Sequence, residues 1–442
     1  MNLKQIQSYL LQHLKKDVLR NIILVSSLTF ITSLLGFFKE AVVASNYGLS
    51  LELDTFFVAL LIPGLISTVF LGSYKSVFIP NYINEIHNNG NIKSFQTAGL
   101  TLTIFISIIF IIIAIIGSDL YLDFLFPNKS LEFYGMVKKQ FYIILPSILF
   151  WGIASILGAL LYVNNEFKFS SLSGIFTPIV ILILIYNFKS EFDDTLLSWG
   201  TTIGAIISCL YLFIITKSKK ILSLGNIELN NANIIITLKQ LPAKISSGLL
   251  TALNDVVDQF FAAQLILGSI TALNYGMKIP AFLASLLLVA FSNVLLPYFS
   301  KSVIADKVNS FRILFKNVNW VFIALILVSL IGIFCSDMVV SLLFERKEFT
   351  TADTKIVSTI QKIFLTYIPF KITGMIMVNF ATSINENKIM AIISLVAVVL
   401  NVVLDFYFME IYGVFGIAIC TTIIVVFKSL SIYIYLKKIS EK

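Results

Sequence analysis

The 442-residue sequence is poor in charge, in histidine and in cysteine. Charged residues make up 13% of it, against about 25% in an ordinary soluble domain, and 58% of its residues are apolar. This balance excludes a cytosolic enzyme, a disordered protein and a disulfide-stapled module. Its cysteines are isolated within apolar runs, its two histidines lie far apart, and nothing resembles a phosphate loop or a catalytic triad. We therefore expect neither an enzyme nor a covalently bound cofactor.

The sequence consists largely of long apolar runs. A membrane-spanning helix needs about 20 predominantly apolar residues. Runs of this kind predict twelve spans, near residues 21–47, 53–84, 96–117, 137–163, 168–187, 196–216, 239–268, 270–299, 316–337, 356–385, 388–408 and 411–436. The fold class expected is all-α, a polytopic membrane protein.

The basic residues indicate the orientation of these spans. Lysine and arginine collect before span 1, after span 6, between spans 8 and 9 and after span 12, whereas the opposite loops are richer in acid. The positive-inside rule then places both termini in the cytoplasm. Lysines in cytoplasmic loops also explain the net charge of +8, so the charge does not indicate binding to nucleic acid. Residues 1–20 predict a basic amphipathic segment on the inner leaflet.

An internal repeat divides the chain into two halves. Pro63 in span 2 and Pro280 in span 8 are 217 residues apart, as are Pro80 and Pro297. Each half has an even number of spans, so the halves run in the same direction. We expect two six-helix bundles around a central cavity, as in alternating-access transporters. The predicted boundaries are an N-terminal segment, 1–20, a first bundle, 21–216, a cytoplasmic linker, 217–238, and a second bundle, 239–442.

Four lysines lie inside predicted spans, where charge is costly. They are Lys39, Lys75, Lys278 and Lys371. Facing a central cavity, they would attract an anionic substrate such as a pyrophosphate head group; snorkelling to the membrane interface is the alternative. Lys39 could instead neutralise a nearby acid, although the adjacent Glu40 points elsewhere on the helix.

Oxygen-bearing side chains form a second set. Asp255 and Asp258 share one face of span 7, Asn401 and Asp405 share one face of span 11, and Thr421 lies in span 12. Such hard oxygen ligands suit Na⁺ or a shared proton. Two interpretations stay open: a coupling-cation site, or structural pairing through interhelical hydrogen bonds and the nearby Lys278 or Lys428.

Four stretches resemble the MurJ/MviN lipid II flippase family of the multidrug/oligosaccharidyl-lipid/polysaccharide exporter superfamily. They begin with SSLTFITSLLGFFKEAVVASNYGLSLELDTFFVALLIPGL at 26–65 and LGALLYVNNEFKF at 157–169. VVDQFFAAQLILGSITALNYGMKIPAF at 256–282 and LLFERKEFTTADT at 342–354 follow in the same order. The resemblance runs over nearly the whole chain.

The resemblance implies roles for individual residues. Lys39 and Glu40 stand where the family has a basic residue and an acid after the span 1 glycine. Asp54 matches the acid that opens span 2, and Lys278 matches an arginine of span 8. In sodium-coupled relatives the ion is held by residues that Asp258, Asn401, Asp405 and Thr421 resemble. Family arginines are replaced by Ser33, Ser67 and Thr68, which alters the head-group site, because lysine cannot copy the two-pronged arginine grip on phosphate.

The sequence thus predicts a flippase of the bacterial cytoplasmic membrane. Its substrate would be an undecaprenyl-pyrophosphate-linked saccharide, either lipid II or a polysaccharide repeat unit, with membrane lipid and envelope-synthesis enzymes as partners and Na⁺ or H⁺ as coupling ion. Two alternatives stay open. One is a cation-coupled efflux antiporter for small molecules; the other is a non-transporting scaffold or scramblase.

Overall fold

The computed structural model describes residues 16–228, 230–285, 306–384 and 386–441. These residues form helices and no strands. The first half contains α1 (Lys16–Tyr47), α2 (Leu51–His87), α3 (Ile92–Ile116), α4 (Leu131–Val163), α5 (Phe167–Asn187) and α6 (Leu196–Ser218). The second half contains α7 (Ala232–Ala263), α8 (residues 269–285), α9 (Lys307–Phe344), α10 (Thr351–Ser383), α11 (Asn387–Tyr412) and α12 (Val414–Ser440). Two short helices, Ser118–Leu125 and Lys189–Phe192, lie in connections.

Ten of these helices, all except α7 and α8, are long and apolar enough to cross a membrane by length and composition. The described part of α8 is too short to be counted, and α7 carries several charged residues. The all-helical membrane fold is confirmed, and the count of twelve spans is compatible with it. Most of the predicted N-terminal segment and the second half of span 8, including Pro297, lie outside the described residues.

Local sequence signals set the helix ends. Asn231 accepts hydrogen bonds from the backbone N–H groups of Asn233 and Ile234, so α7 begins at Ala232, seven residues before the predicted start of span 7. Thr350 and Asp353 cap α10 reciprocally. Exposed apolar residues cover the outer faces of α3 and α9, as a lipid-facing surface requires.

Helices α2 and α4 each contain a break. In α2 the α-helix Leu51–Leu65 contains Pro63 and passes into a π-helical segment, Ile66–Leu71, before the helix Gly72–His87. In α4 the helices Leu131–Ile144 and Ser147–Val163 meet at Pro146. Proline removes a backbone donor and clashes with the preceding turn. Ser67 and Thr68 of the π segment line a cavity.

The connection between α6 and α7 lies against the first bundle. Gln96 of α3 donates to the carbonyl of Ile221 and accepts from the N–H of Ser223, at 3.0 and 2.8 Å. Glu85 of α2 accepts from Asn231 at 2.8 Å and from Asn233 at 2.5 Å. The start of α7 is therefore held by the first bundle.

Candidate functional site

A cavity of about 330 Å³ lies in the first bundle, within the range of small-ligand sites. Its largest share of lining residues comes from α2, with contributions from α1, α4, α5 and α6. The second bundle contributes Lys278 of α8. The charged lining residues are Lys39, Glu40 and Lys278, and the polar and aromatic ones include Ser67, Thr68, Trp151, Thr177 and Thr201.

Glu40 bridges the two lysines of this cavity. Its Oε1 lies 2.5 Å from Lys39 Nζ and 2.9 Å from Lys278 Nζ. The Lys278 ammonium also lies 5.9 Å from the centre of the Phe57 ring. The expectation that Glu40 points away from Lys39 is wrong, because the long lysine stem bends back to its neighbour. The cluster keeps one net positive charge facing the cavity.

Two other predicted binding residues do not line this cavity. Lys75 is partly buried in the second half of α2 and has no ion-pair partner among the described residues. Asp54 is 4% exposed and turned towards α8: its Oδ2 accepts from the N–H of Gly268 at 2.7 Å, and its Oδ1 from the N–H and hydroxyl of Thr271 at 2.8 and 2.6 Å. Asp54 thus joins the bundles by binding the first turn of α8.

A second set of interbundle contacts surrounds the turn between α1 and α2. The Glu348 N–H donates to the Ser45 carbonyl at 3.1 Å, and Lys347 Nζ donates to Asn46 Oδ1 at 3.4 Å. Gly48 has φ of +56°, and a Cβ there would lie 2.5 Å from the Glu348 carbonyl oxygen. No motif in the sequence pointed to these contacts, since the partners are about 300 residues apart.

The turn that presents Glu348 is itself fixed by Glu345. The Glu345 carboxylate accepts from the hydroxyls of Thr354 and Thr351, at 2.7 and 2.9 Å. These bonds lower the pKa of the exposed Glu345 carboxyl, that from Thr354 having the larger effect. Together with Asp54, the two turns join the first half of the chain to the second.

Four of the five predicted cation ligands meet in the second bundle. Asn401 Nδ2 donates to Asp258 Oδ1 at 3.1 Å and to Asp405 Oδ2 at 2.7 Å, and Thr421 Oγ1 donates to Asp258 Oδ2 at 2.7 Å. The two carboxylates are at most 3% exposed. No lysine or arginine forms a salt bridge with them within the described residues, so pairing of this cluster with Lys278 or Lys428 is not observed. The interhelical hydrogen bonds of the structural alternative are present.

Asp405, Asp255 and Lys371 differ in their surroundings. Asp405 Oδ1 is buried and has no hydrogen-bond partner among the described atoms. Asp255 is exposed and outside the hydrogen-bonded cluster. Lys371 lies over the Tyr367 ring at 5.1 Å and, like Lys75, does not reach the first-bundle cavity.

The fold and these two sites define a class: a helical membrane transporter with a cationic cavity in one bundle and a buried carboxylate pair in the other. The chain belongs to one family of this class. Residues 43–441 match the family model described as "Lipid II flippase MurJ".

Similar proteins agree with this assignment. The chain is 27% identical over 418 residues to a probable lipid II flippase MurJ of Buchnera aphidicola subsp. Baizongia pistaciae, covering 91% of this chain and 80% of that protein. It is 24% identical over 433 residues to the Vibrio cholerae protein of the same description, covering 92% and 80%.

Solved structures share the architecture. A lipid II flippase MurJ in an inward closed conformation superposes with a TM-score of 0.80 at 25% identity, covering 94% of this chain and 87% of the other. An inward-facing multidrug resistance MATE transporter superposes with a TM-score of 0.71 at 12% identity, covering 95% and 98%. The second likeness concerns the fold alone.

Proposed function

We propose that this protein is a flippase that moves an undecaprenyl-pyrophosphate-linked saccharide from the inner to the outer leaflet of a bacterial cytoplasmic membrane. The observation that carries the proposal is the cluster of Lys39, Glu40 and Lys278 in the cavity. A phosphate group replaces Glu40 as the partner of the two ammonium groups. Membership of the MurJ family supports the same substrate class.

A cation at the second-bundle cluster would couple to this movement. Asp258 and Asp405 bond to the same amide nitrogen, so their oxygens cannot be farther apart than the sum of those two distances. Two buried carboxylates this close repel each other, so they require either a bound cation or a proton on one of them. The partnerless Asp405 Oδ1 fits such a ligand, and carboxylate and hydroxyl oxygens suit Na⁺.

The orientation follows from charge. With both termini in the cytoplasm, the contacts of Asp54 and Glu348 lie at the outer end of the bundles. An inside-negative potential favours outward movement of an anion by about 2.3 kcal/mol per charge per 100 mV. Entry of a cation at the second-bundle cluster then resets the empty carrier. The binding cavity and the reset site thus lie in different bundles.

Complementation tests the substrate. The chain is expressed in cells depleted of their lipid II flippase, and separately in cells lacking a capsule or O-antigen flippase. We expect the wild type to restore one strain, and Lys39→Ala and Lys278→Ala to abolish that rescue at equal membrane abundance. Lys362→Ala, which removes a lysine paired with exposed Asp337, is the control and retains rescue.

Two results contradict the proposal. One is failure of the wild type in both strains despite correct insertion. The other is full rescue by both lysine variants. Rescue of drug efflux instead, measured as altered drug susceptibility, would identify a small-molecule antiporter.

A further inference from the structure

The cavity has a second polar region, separate from the lysine cluster. Lys278 lies beside Phe57, whereas Ser67 and Thr68 follow ten and eleven residues later on α2. At about 1.5 Å of rise per residue, the hydroxyls lie roughly 15 Å farther along the helix. The lining residues of this region carry no charge.

The Ser67 and Thr68 hydroxyls are free to bind a ligand. Neither has a hydrogen-bond partner among the described residues. Elsewhere helical threonines bond to the carbonyl four residues earlier: Thr103 donates to Gly99 at 2.8 Å and Thr201 to Leu197 at 2.8 Å. Ser67 and Thr68 lie in the π segment, whose hydrogen bonds follow a different spacing. This segment leaves two hydroxyls unused beside the cavity.

Trp151 lies at the same level of the bundle. The next residue, Gly152, lets α4 approach closely: a Cβ there would lie 2.8 Å from Ser107 Oγ and 3.4 Å from Leu71 Cδ2, at the end of the π segment. The Trp151 indole is partly exposed in the cavity and contacts no other aromatic ring of the described chain. It offers a flat apolar face and one N–H donor.

We propose that Ser67, Thr68 and Trp151 form a recognition wall for an uncharged sugar ring. The indole face packs on the C–H face of the ring, and the two hydroxyls exchange hydrogen bonds with its hydroxyl or acetamido groups. This inference rests on the proposed function, since it places the phosphates at Lys39 and Lys278. The wall then discriminates between substrates by their sugar, and the two lysines attract the phosphates.

Two ligands separate these roles. Binding to the purified full-length protein in nanodiscs is measured for undecaprenyl pyrophosphate and for the same lipid carrying one N-acetylhexosamine. We expect the wild type to bind the sugar-bearing lipid about tenfold more tightly. That factor corresponds to about 1.4 kcal/mol, in the range of one or two net hydrogen bonds.

Variants locate the preference. Trp151→Ala and the double variant Ser67→Ala with Thr68→Val should remove it. They should leave binding of the bare lipid within about twofold, because the phosphates are held at Lys39 and Lys278 and not at the wall. Trp151→Phe keeps an aromatic face and should retain most of the preference. Lys278→Ala should weaken both ligands. Thr366→Val, whose hydroxyl bonds to its own helix away from the cavity, is the matched control.

The outcomes distinguish the two proposals. Equal wild-type affinity for the two lipids, or a preference that survives both wall changes, contradicts the recognition wall. If the folded wild type binds neither lipid, the proposed function itself is wrong.

Discussion

At the residue scale, the cavity contains two lysines that attract an anionic substrate and a glutamate, Glu40, that competes with the substrate for them. Glu40 occupies both lysines in the resting protein and leaves one net positive charge. A buried charge without a partner is costly, so the carboxylate stabilises the two ammonium groups while no substrate is bound. It also has to be displaced by phosphate, which limits how tightly the head group is held and helps its release.

Glu40→Gln tests this balance. The substitution raises the net charge of the cluster from one to two, so we expect undecaprenyl pyrophosphate to bind about tenfold more tightly, or about 1.4 kcal/mol. Release, measured as translocation in proteoliposomes, should slow. Glu132→Gln, at an exposed site outside the cavity, serves as the control. Weaker binding would mean instead that Glu40 is needed to hold the lysines in place.

Asp258→Asn addresses the cation. A ligand that binds only the folded state stabilises it by about 2.7 kcal/mol at one hundred times its Kd. We expect the Tm of the wild type to rise when choline chloride is replaced by NaCl, and this rise to disappear in Asp258→Asn.

Asp255→Asn is the matched control for that measurement. Asp255 is an acid three residues away on the same helix but is exposed and outside the cluster, so its variant should keep the sodium response. A wild-type Tm that rises with falling pH instead of with Na⁺ identifies the proton as the ligand. Absence of both responses contradicts a cation site.

At the scale of elements, the turn between α1 and α2 joins the two bundles. It combines the Asp54 bonds to α8 with the approach of Gly48 to Glu348. A charge-assisted hydrogen bond contributes about 1.5–3 kcal/mol, so these contacts are strong enough to set the population of the closed outer end. They are also few enough to break in one step.

Gly48→Ala should open this end. The left-handed backbone costs an alanine about 1–2 kcal/mol, and its Cβ meets the Glu348 carbonyl. A disulfide between Ser45→Cys and Glu348→Cys, whose backbones are joined by a 3.1 Å hydrogen bond, reports closure in a background without the native cysteines. We expect its yield to fall several-fold in Gly48→Ala.

Gly413→Ala is the control for backbone strain. Gly413 has the same φ of +56° but no atom within 4 Å of an added Cβ, so its variant should leave the disulfide yield unchanged. Equal loss in both variants would assign the effect to general destabilisation instead of to the contact between Gly48 and Glu348.

How much the sequence could predict depends on how far apart the interacting residues are. Asp258, Asn401, Asp405 and Thr421 were identifiable because polar oxygens within apolar runs require a reason. Asp54 was identified as functionally important, but an acid at the start of a helix has the same appearance whether it binds a ligand or another helix. Its partners, Gly268 and Thr271, are more than two hundred residues away.

The recognition wall was beyond sequence reasoning for another reason. Serine and threonine are common in membrane helices and usually bond to their own backbone. Only the π segment frees Ser67 and Thr68, and only the close approach of α4 brings Trp151 beside them. The sequence showed that arginines are missing there; it could not show what the replacements face.

At the scale of the whole molecule, α7 belongs to both bundles. Asn81 of α2 donates to Gln240 at 3.2 Å near its beginning, while Asp258 bonds to α11 and α12 near its end. Pro242 lies in the stretch between these anchors, inside the helix, where its ring weakens the hydrogen-bond ladder.

Because α7 is bonded to the first bundle near its beginning and to the second near its end, rocking of the two halves of the molecule has to bend this helix. Pro242 is then the point at which α7 bends. We expect whatever neutralises Asp258 to change how α7 bends, and thereby to alter the cavity in the first bundle.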